Sequence, residues 1–437
     1  MQQDTVIGGQ IAPPTFNEAV RVWLRIGLLS FGGPAGQIAL MHKELVEKRK
    51  WIDEQRYLHA LNFCMLLPGP EAMQLATYVG WRLHGLKGGL TAGLLFVLPG
   101  ALMMLVLTML YAKFGKLPIS EALLTGVKAA VLAVVLEALL RISKRALKTN
   151  VDWLLAAAAF VAIYLFAVPF PIIVLAAALI GFWRGMGSGA PATKVAEDVK
   201  VPLSRTLATA AVWLVIWIVP LLGIAWVYGR DHVLTSIGIF FSKLAVVTFG
   251  GAYAVLAYMR EAVPRDFGWL TKGEMVDALG LAETTPGPLI LVTQFVGYLA
   301  ALRKGGGDPL LMGALGALVT TWATFAPCFL WIFVGAPYVE RLHSEPRLKA
   351  ALAAVTAAVV GVILNLTVTF AIDVLSPSSV ERWYGPLKVY LPDLAGLSWL
   401  AAALSALAIA LTFSFHRSII ETLGVCGGLA LLWHFVH

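Results

Sequence analysis

Residues 28–36 read LLSFGGPAG, and residues 246–254 read VVTFGGAYA. The two stretches lie 218 positions apart, as do LLPGPEA at 66–72 and TTPGPLI at 284–290. Trp51 matches Trp269 at the same offset, while Val79-Gly80 matches Val296-Gly297 and Lys43-Glu44 matches Arg260-Glu261 at 217. Further along, Pro99 answers to Pro327, and VKAAVLAVVLE at 127–137 to VTAAVVGVILN at 355–365, now at 228. One order of motifs kept through half a chain marks an internal duplication.

The solvent of this duplication follows from composition. Of 437 residues, 59% are hydrophobic and 13% charged, with a mean hydropathy of +0.81. Soluble chains carry roughly 25% charge, so this is an all-α polytopic membrane protein. Windows near the ~20-residue length of a bilayer span fall at 16–34, 57–82, 88–112, 119–141, 152–168, 170–184, 206–228, 233–258, 273–301, 309–336, 348–372, 394–414 and 418–436, about thirteen in all. The stretch after each Gly-Gly reads either as spanning or as re-entrant. The polar run RGMGSGAPATKVAEDVKVPLSR at 184–205 divides the chain. The expected organisation is a repeat over 1–184, a linker with one extra transmembrane helix over 185–232, and a second repeat over 233–437. An odd spacer between halves of six spans turns the second half over, giving inverted repeats, the architecture of secondary transporters.

The N-terminal MQQDTVIGGQIAPPT has no basic region followed by an apolar core, so no cleavable signal is expected. Cys64, Cys328 and Cys426 lie in apolar windows without CxxC spacing and read as small buried hydrophobes. The histidines show no ligand spacing within a span, and no metal or cofactor is expected. The net charge of +8 suits loops facing anionic lipid, and no basic run with aromatics points to nucleic acid.

Phe31-Gly32-Gly33-Pro34, Phe249-Gly250-Gly251, Pro68-Gly69-Pro70 and Pro286-Gly287-Pro288 interrupt windows otherwise able to span. Broken backbone at membrane depth is tolerable only where it is buried or lines a cavity. The helix start after a break presents free amides and a positive dipole end, which bind anions. Breaks at matching places in two repeats point to a transport site; the plainer reading is a set of kinks and close helix contacts. Arg25 and Lys243 each lie seven residues, about two turns, before a glycine break. They read as matched cations for an oxyanion, Arg25 bidentate and Lys243 a point charge; alternatively, Arg25 with Arg21 and Glu18 forms the amphipathic start of the first span. Glu71 and Glu283 flank the Pro-Gly-Pro motifs, and a buried carboxyl can carry a proton, though Glu71 serves equally as a helix cap. Gln74 and Gln294 add neutral donors. Glu137 and Lys128, matched by Asn365 and Thr356, read as pairing with neighbouring helices.

The paired Phe-Gly-Gly and Pro-Gly-Pro motifs, with HKELVEKRKW and REAVPRDFGW after each first motif, resemble the long, two-domain form of the chromate ion transporter family. The resemblance covers nearly the whole chain. It implies two homologous halves of opposed topology, and efflux of chromate across the bacterial cytoplasmic (inner) membrane, driven by proton motive force and conferring chromate resistance. Ala252 stands where the first half has Pro34. The residues themselves reach only an oxyanion transporter, since sulfate shares the shape and charge of chromate. A sulfate or other anion uptake permease and an anion channel are the alternatives; a membrane enzyme lacks any cofactor motif, so no catalytic activity is expected. The expected partners are chromate or sulfate, protons, membrane lipid and a second copy in a homodimer. Positive charge at 42–56 (Lys43, Lys48, Arg49, Lys50, Arg56) marks a cytoplasmic loop, yet on this span count Arg141, Lys144, Arg145 and Lys148 fall on the other face. One of those two assignments, or one span, is wrong.

Overall fold

The structure is a computed structural model and describes residues 14–31, 33–187, 202–249, 252–338, 346–393 and 395–436. In the first half, α1 (Phe16–Leu29), α2 (Gly33–His42), α3 (Glu54–Leu66), α4 (Glu71–Phe114), α5 (Pro118–Ala146), α6 (Asn150–Phe166) and α7 (Phe170–Gly187) follow one another. A single helix, α8 (Leu203–Tyr228), leads to the second half. That half comprises α9 (Val233–Val247), α10 (Ala252–Ala262), α11 (Lys272–Thr284), α12 (Val292–Lys304), α13 (Pro309–Gly335), α14 (Pro346–Leu375), α15 (Trp399–Ile409) and α16 (Ile419–Val436).

The windows at 16–34, 57–82, 233–258 and 273–301 are not continuous helices. Each breaks at its motif, and the helices on either side of a Pro-Gly-Pro are half-length. Thirteen residues of α11 rise about 20 Å, short of a ~30 Å hydrocarbon core. The breaks follow from the residues: Gly69 has φ 114° and Gly287 φ 83°, in the region that favours glycine, and the prolines beside them supply no N–H.

The half-helices fold back instead of continuing. Arg303 at the end of α12 lies 2.6 Å from Glu274 at the start of α11. Lys304 donates to the Phe267 carbonyl at 2.8 Å, and His232, just before α9, lies 2.9 Å from the Gly305 carbonyl oxygen. Both hairpins, α9 with α10 and α11 with α12, therefore enter and leave at one end of the molecule. Their first-half counterparts begin at the other end, where His84 meets the Pro14 carbonyl at 2.8 Å and His42 lies 2.6 Å from Glu54. Capping fixes where α3 and α11 start: Asp53 accepts from the Arg56 N–H, and Thr271 forms a capping box with Glu274.

Helix α4 is itself two arms, 71–83 and 86–114, with His84 and Gly85 non-helical between them. The long arm matches α13, and the two pack antiparallel: a Cβ at Gly89 would meet the Phe333 ring, and one at Gly93 the Phe329 ring. Matched helices that run in opposite directions require a two-fold axis across the helix direction, which is an inverted repeat. The pairs Gly80 with Gly88 and Gly297 with Gly316 repeat one close backbone contact in both halves. Helices α6 and α7 pack on α14 of the other half, and α15 and α16 pack on α5, a reciprocal exchange. Helix α8 has no counterpart and lies against α13 and α9.

One element lies outside the all-α expectation. Strands β1 (Val380–Tyr384) and β2 (Leu387–Leu391) form an antiparallel hairpin whose two-residue turn has Gly385 at φ 62°. Lys388 and Tyr390 both donate to Glu261 at 2.9 Å, and Lys272 to Glu381 at 2.6 Å. The hairpin thus seals the end at which the second-half hairpins enter. Between the halves, Lys128 of α5 pairs with Asp277 of α11 at 3.1 Å, and Tyr111 donates to Asp277 at 2.7 Å, the neighbouring-helix pairing expected of Lys128.

Candidate functional site

The tips of the four re-entrant hairpins meet. The Gly69 N–H donates to the Thr248 carbonyl at 2.9 Å, and the Gly287 N–H donates to the Ser30 carbonyl at 2.9 Å. Both donors and both acceptors differ by 218, so the pseudo-symmetry operates at the tips themselves. Gly100 of the long arm lies against the Pro286 carbonyl, and Cys328, its counterpart on α13, lies against Gly69. Gln37 donates to the Gly287 carbonyl at 2.6 Å, Gln74 to that of Pro68 at 2.7 Å, and Gln294 to that of Ala101 at 3.0 Å.

These contacts change the role expected of the breaks. The Gly69 and Gly287 amides are used by carbonyls of the opposite half, and Pro68, Pro70, Pro286 and Pro288 are buried with them. Gln74 and Gln294 are committed to backbone carbonyls. Phe31 and Phe249 are half-buried at the tips, and Gly32, Gly250 and Gly251 lie outside the described residues. Arg25 and Lys243 are exposed on α1 and α9 and are not among the residues lining the cavity described next; the amphipathic reading of Arg25 fits α1, whose other face buries Val22, Trp23 and Ile26.

The cavity lies beside the tips instead. It has a volume of about 90 Å³ and is lined by Gly33, Pro34 and Glu71 of the first half, by Glu137, Arg141 and Arg145 of α5, and by Tyr253 of the second half. That is space for a small polyatomic ion with a few waters. Gly33, at φ 69°, turns the chain here without closing the cavity. Arg141 forms an ion pair with Glu137, and Arg145, four residues on, shares its helix face. Tyr253 donates at 2.9 Å to Glu283, which is buried behind it. Of the two flanking carboxyls, Glu71 thus faces the cavity and Glu283 reaches it through a phenol. Among the described residues, no three His, Cys, Asp or Glu side chains converge as metal ligands.

Sequence reasoning did not place Arg141, Arg145 or Tyr253 at a site. A signal was present: at offset 228, Glu137, Arg141 and Arg145 stand where the second half has Asn365, Thr369 and Asp373. The first repeat therefore carries a charged face where the second carries a mostly neutral one.

The profile of the family described as "Chromate transporter" matches residues 18–182 and 235–432, one stretch per repeat, with α8 between them. A chromate transport protein of Cupriavidus metallidurans is 31% identical over 381 residues, covering 84% of this chain and 86% of that protein. One from Pseudomonas aeruginosa is 34% identical over 375 residues, covering 82% of each, and a probable chromate transport protein of Synechococcus elongatus is 30% identical over 354 residues, covering 81% and 84%. No solved structure matches the chain.

Proposed function

Because the chain belongs to the chromate transporter family, we propose that it is a secondary transporter that exports chromate, or a similar tetrahedral oxyanion such as sulfate, across the cytoplasmic membrane. The observation that carries this reading is the cavity at the tips, lined by Arg141 and Arg145. A guanidinium offers a planar pair of donors to two oxygens of an oxyanion.

Helix α5 runs antiparallel to the long arm of α4 after a three-residue turn, so residues 141–148 return to the end where Pro14 meets His84. The basic cluster at 43–56 lies at that same end, as His42 with Glu54 fixes it. With the hairpins re-entrant, the two clusters agree, and the positive-inside rule makes this end cytoplasmic. The cavity extends from the tips toward Arg145, which is exposed at that end. Such an arrangement takes an anion from the cytoplasm.

Coupling to protons is assigned to Glu283, with Glu71 beside the same cavity. An intramembrane carboxyl in contact with a cavity through one hydroxyl can exchange a proton with it. Export of this kind would confer chromate resistance on a bacterium carrying the protein in its inner membrane. The test is flux of chromate and of sulfate in proteoliposomes holding the full chain, with and without a pH gradient. Saturable chromate flux accelerated by the gradient is expected. Flux no greater than in empty liposomes, or flux linear in concentration as through a channel, would overturn the proposal.

A further inference from the structure

The two halves are not in the same state. Helices α5 and α14 correspond at offset 228, so the cavity face Glu137, Arg141, Arg145 answers to Asn365, Thr369, Asp373. The Glu137 and Arg141 side chains are 32% and 45% exposed. Asn365 and Thr369 are 1% and 0% exposed. The closing element is α10, which packs along α14 where its counterpart α2 leaves the cavity beside α5. Arg260 of α10 holds it there, forming an ion pair with Asp373 and donating to the Thr369 carbonyl at 3.0 Å.

We infer that the α14 face carrying Asn365, Thr369 and Asp373 is the exit half of the oxyanion path, shut in this conformation by the Arg260–Asp373 pair. The inference rests on the transport reading above. An inverted repeat holding one half open and the other closed has a second conformation of nearly the same contacts, with the roles of the halves exchanged. In that conformation α10 withdraws from α14 and the path opens at the end covered by the β-hairpin. Asn365 supports this independently: its side-chain oxygen is buried and has no hydrogen-bond partner among the described residues. An unpartnered buried acceptor is costly, and water or a ligand hydration shell relieves it once the face opens. Charge adds a consequence. Arg145 at the cytoplasmic side is replaced by Asp373 at the exit, so a dianion held by a cation on one side meets a carboxylate on the other. The exit face therefore binds the anion more weakly and favours its release.

The experiment labels Asn365→Cys and Thr369→Cys with a membrane-impermeant maleimide from the outer side of spheroplasts, against the native cysteines as background. Adding Asp373→Asn removes the charge that holds Arg260, and labelling at both positions should become about tenfold faster, as a shift of one decade in the conformational equilibrium requires. Glu137→Cys, labelled from the inside in everted vesicles, should slow in the same background. Asp373→Glu keeps the charge that holds Arg260 and should label more slowly than Asp373→Asn. If Asp373→Asn does not accumulate in the membrane, Arg260→Gln is measured in its place with the same expectation. Unchanged outer labelling at both positions, or labelling only from the inside, overturns the inference. Labelling needs no transported ion, so absent chromate flux with the outer labelling shift intact would count against the substrate and leave the exit face standing.

Discussion

Replacing Gly100 by Ala tests whether the tips are held as tightly as the geometry requires. A Cβ at Gly100 would run into the Pro286 carbonyl oxygen and come within 2.7 Å of Leu291 Cδ1. The carbonyl belongs to a Pro-Gly-Pro tip with little freedom to move, so the hairpin must withdraw from the long arm. Overpacking of this kind costs about 1–3 kcal/mol. Withdrawal also breaks the Gly287 N–H bond to Ser30, worth about 1 kcal/mol. The sum is a loss of about 2–4 kcal/mol. Unfolding in detergent with graded SDS measures it, with Gly223→Ala on α8 as the control, since nothing lies within 4 Å of a Cβ there. The control should be neutral or gain up to about 1 kcal/mol of helix propensity. Leu291→Ala, itself costly at a fully buried position, should show only partial coupling to Gly100→Ala in a double-mutant cycle, because the carbonyl remains. Equal stability of the two Ala variants would refute the account of the tips.

Glu283→Gln should keep chromate exchange between liposomes at equal pH and abolish its acceleration by a pH gradient; acceleration retained in the variant would remove Glu283 from coupling. Lys128→Met should lower stability by up to about 3 kcal/mol by leaving Asp277 without its cation, and Lys128→Met with Asp277→Asn should recover most of that in the same SDS titration; no recovery would mean the pair is not coupled. Cysteines introduced at Lys144 and at Lys272 should label from opposite faces of the membrane, with labelling of both from one face contradicting inverted halves.

Much of the architecture was legible because a duplicated sequence repeats its breaks. The 218 offset that pairs LLSFGGPAG with VVTFGGAYA reappears as the two reciprocal hydrogen bonds, from Gly69 to Thr248 and from Gly287 to Ser30. Hydropathy could not show that the window 57–82 turns back on itself, because a hairpin of two apolar half-helices has the composition of one span. That misreading is what put the basic clusters at 42–56 and 141–148 on opposite faces; folding the window back removes the conflict. The site was less legible. Spacing along α1 and α9 placed Arg25 and Lys243 near the breaks, but a helix face is settled by what packs on it, and Gly27 against Leu95 turns the other face of α1 inward. Free amides at the glycine breaks were a sound inference for an isolated half-helix. At the two Pro-Gly-Pro tips the Gly69 and Gly287 amides are spent, because the other repeat brings a carbonyl to each, a contact between residues more than 170 positions apart.

The most direct measurement is equilibrium binding of chromate to the purified full chain in detergent, comparing the wild type with Arg141→Gln, Arg145→Gln, Arg25→Gln and Lys243→Gln. A charge-assisted contact is worth about 1.5–3 kcal/mol, or about one to two decades in affinity. The account predicts a loss of about that size for each of the two cavity arginines and unchanged binding for the two exposed cations; full affinity without Arg141 or Arg145, or its loss with Arg25 or Lys243, would contradict a site at the cytoplasmic side of the tips.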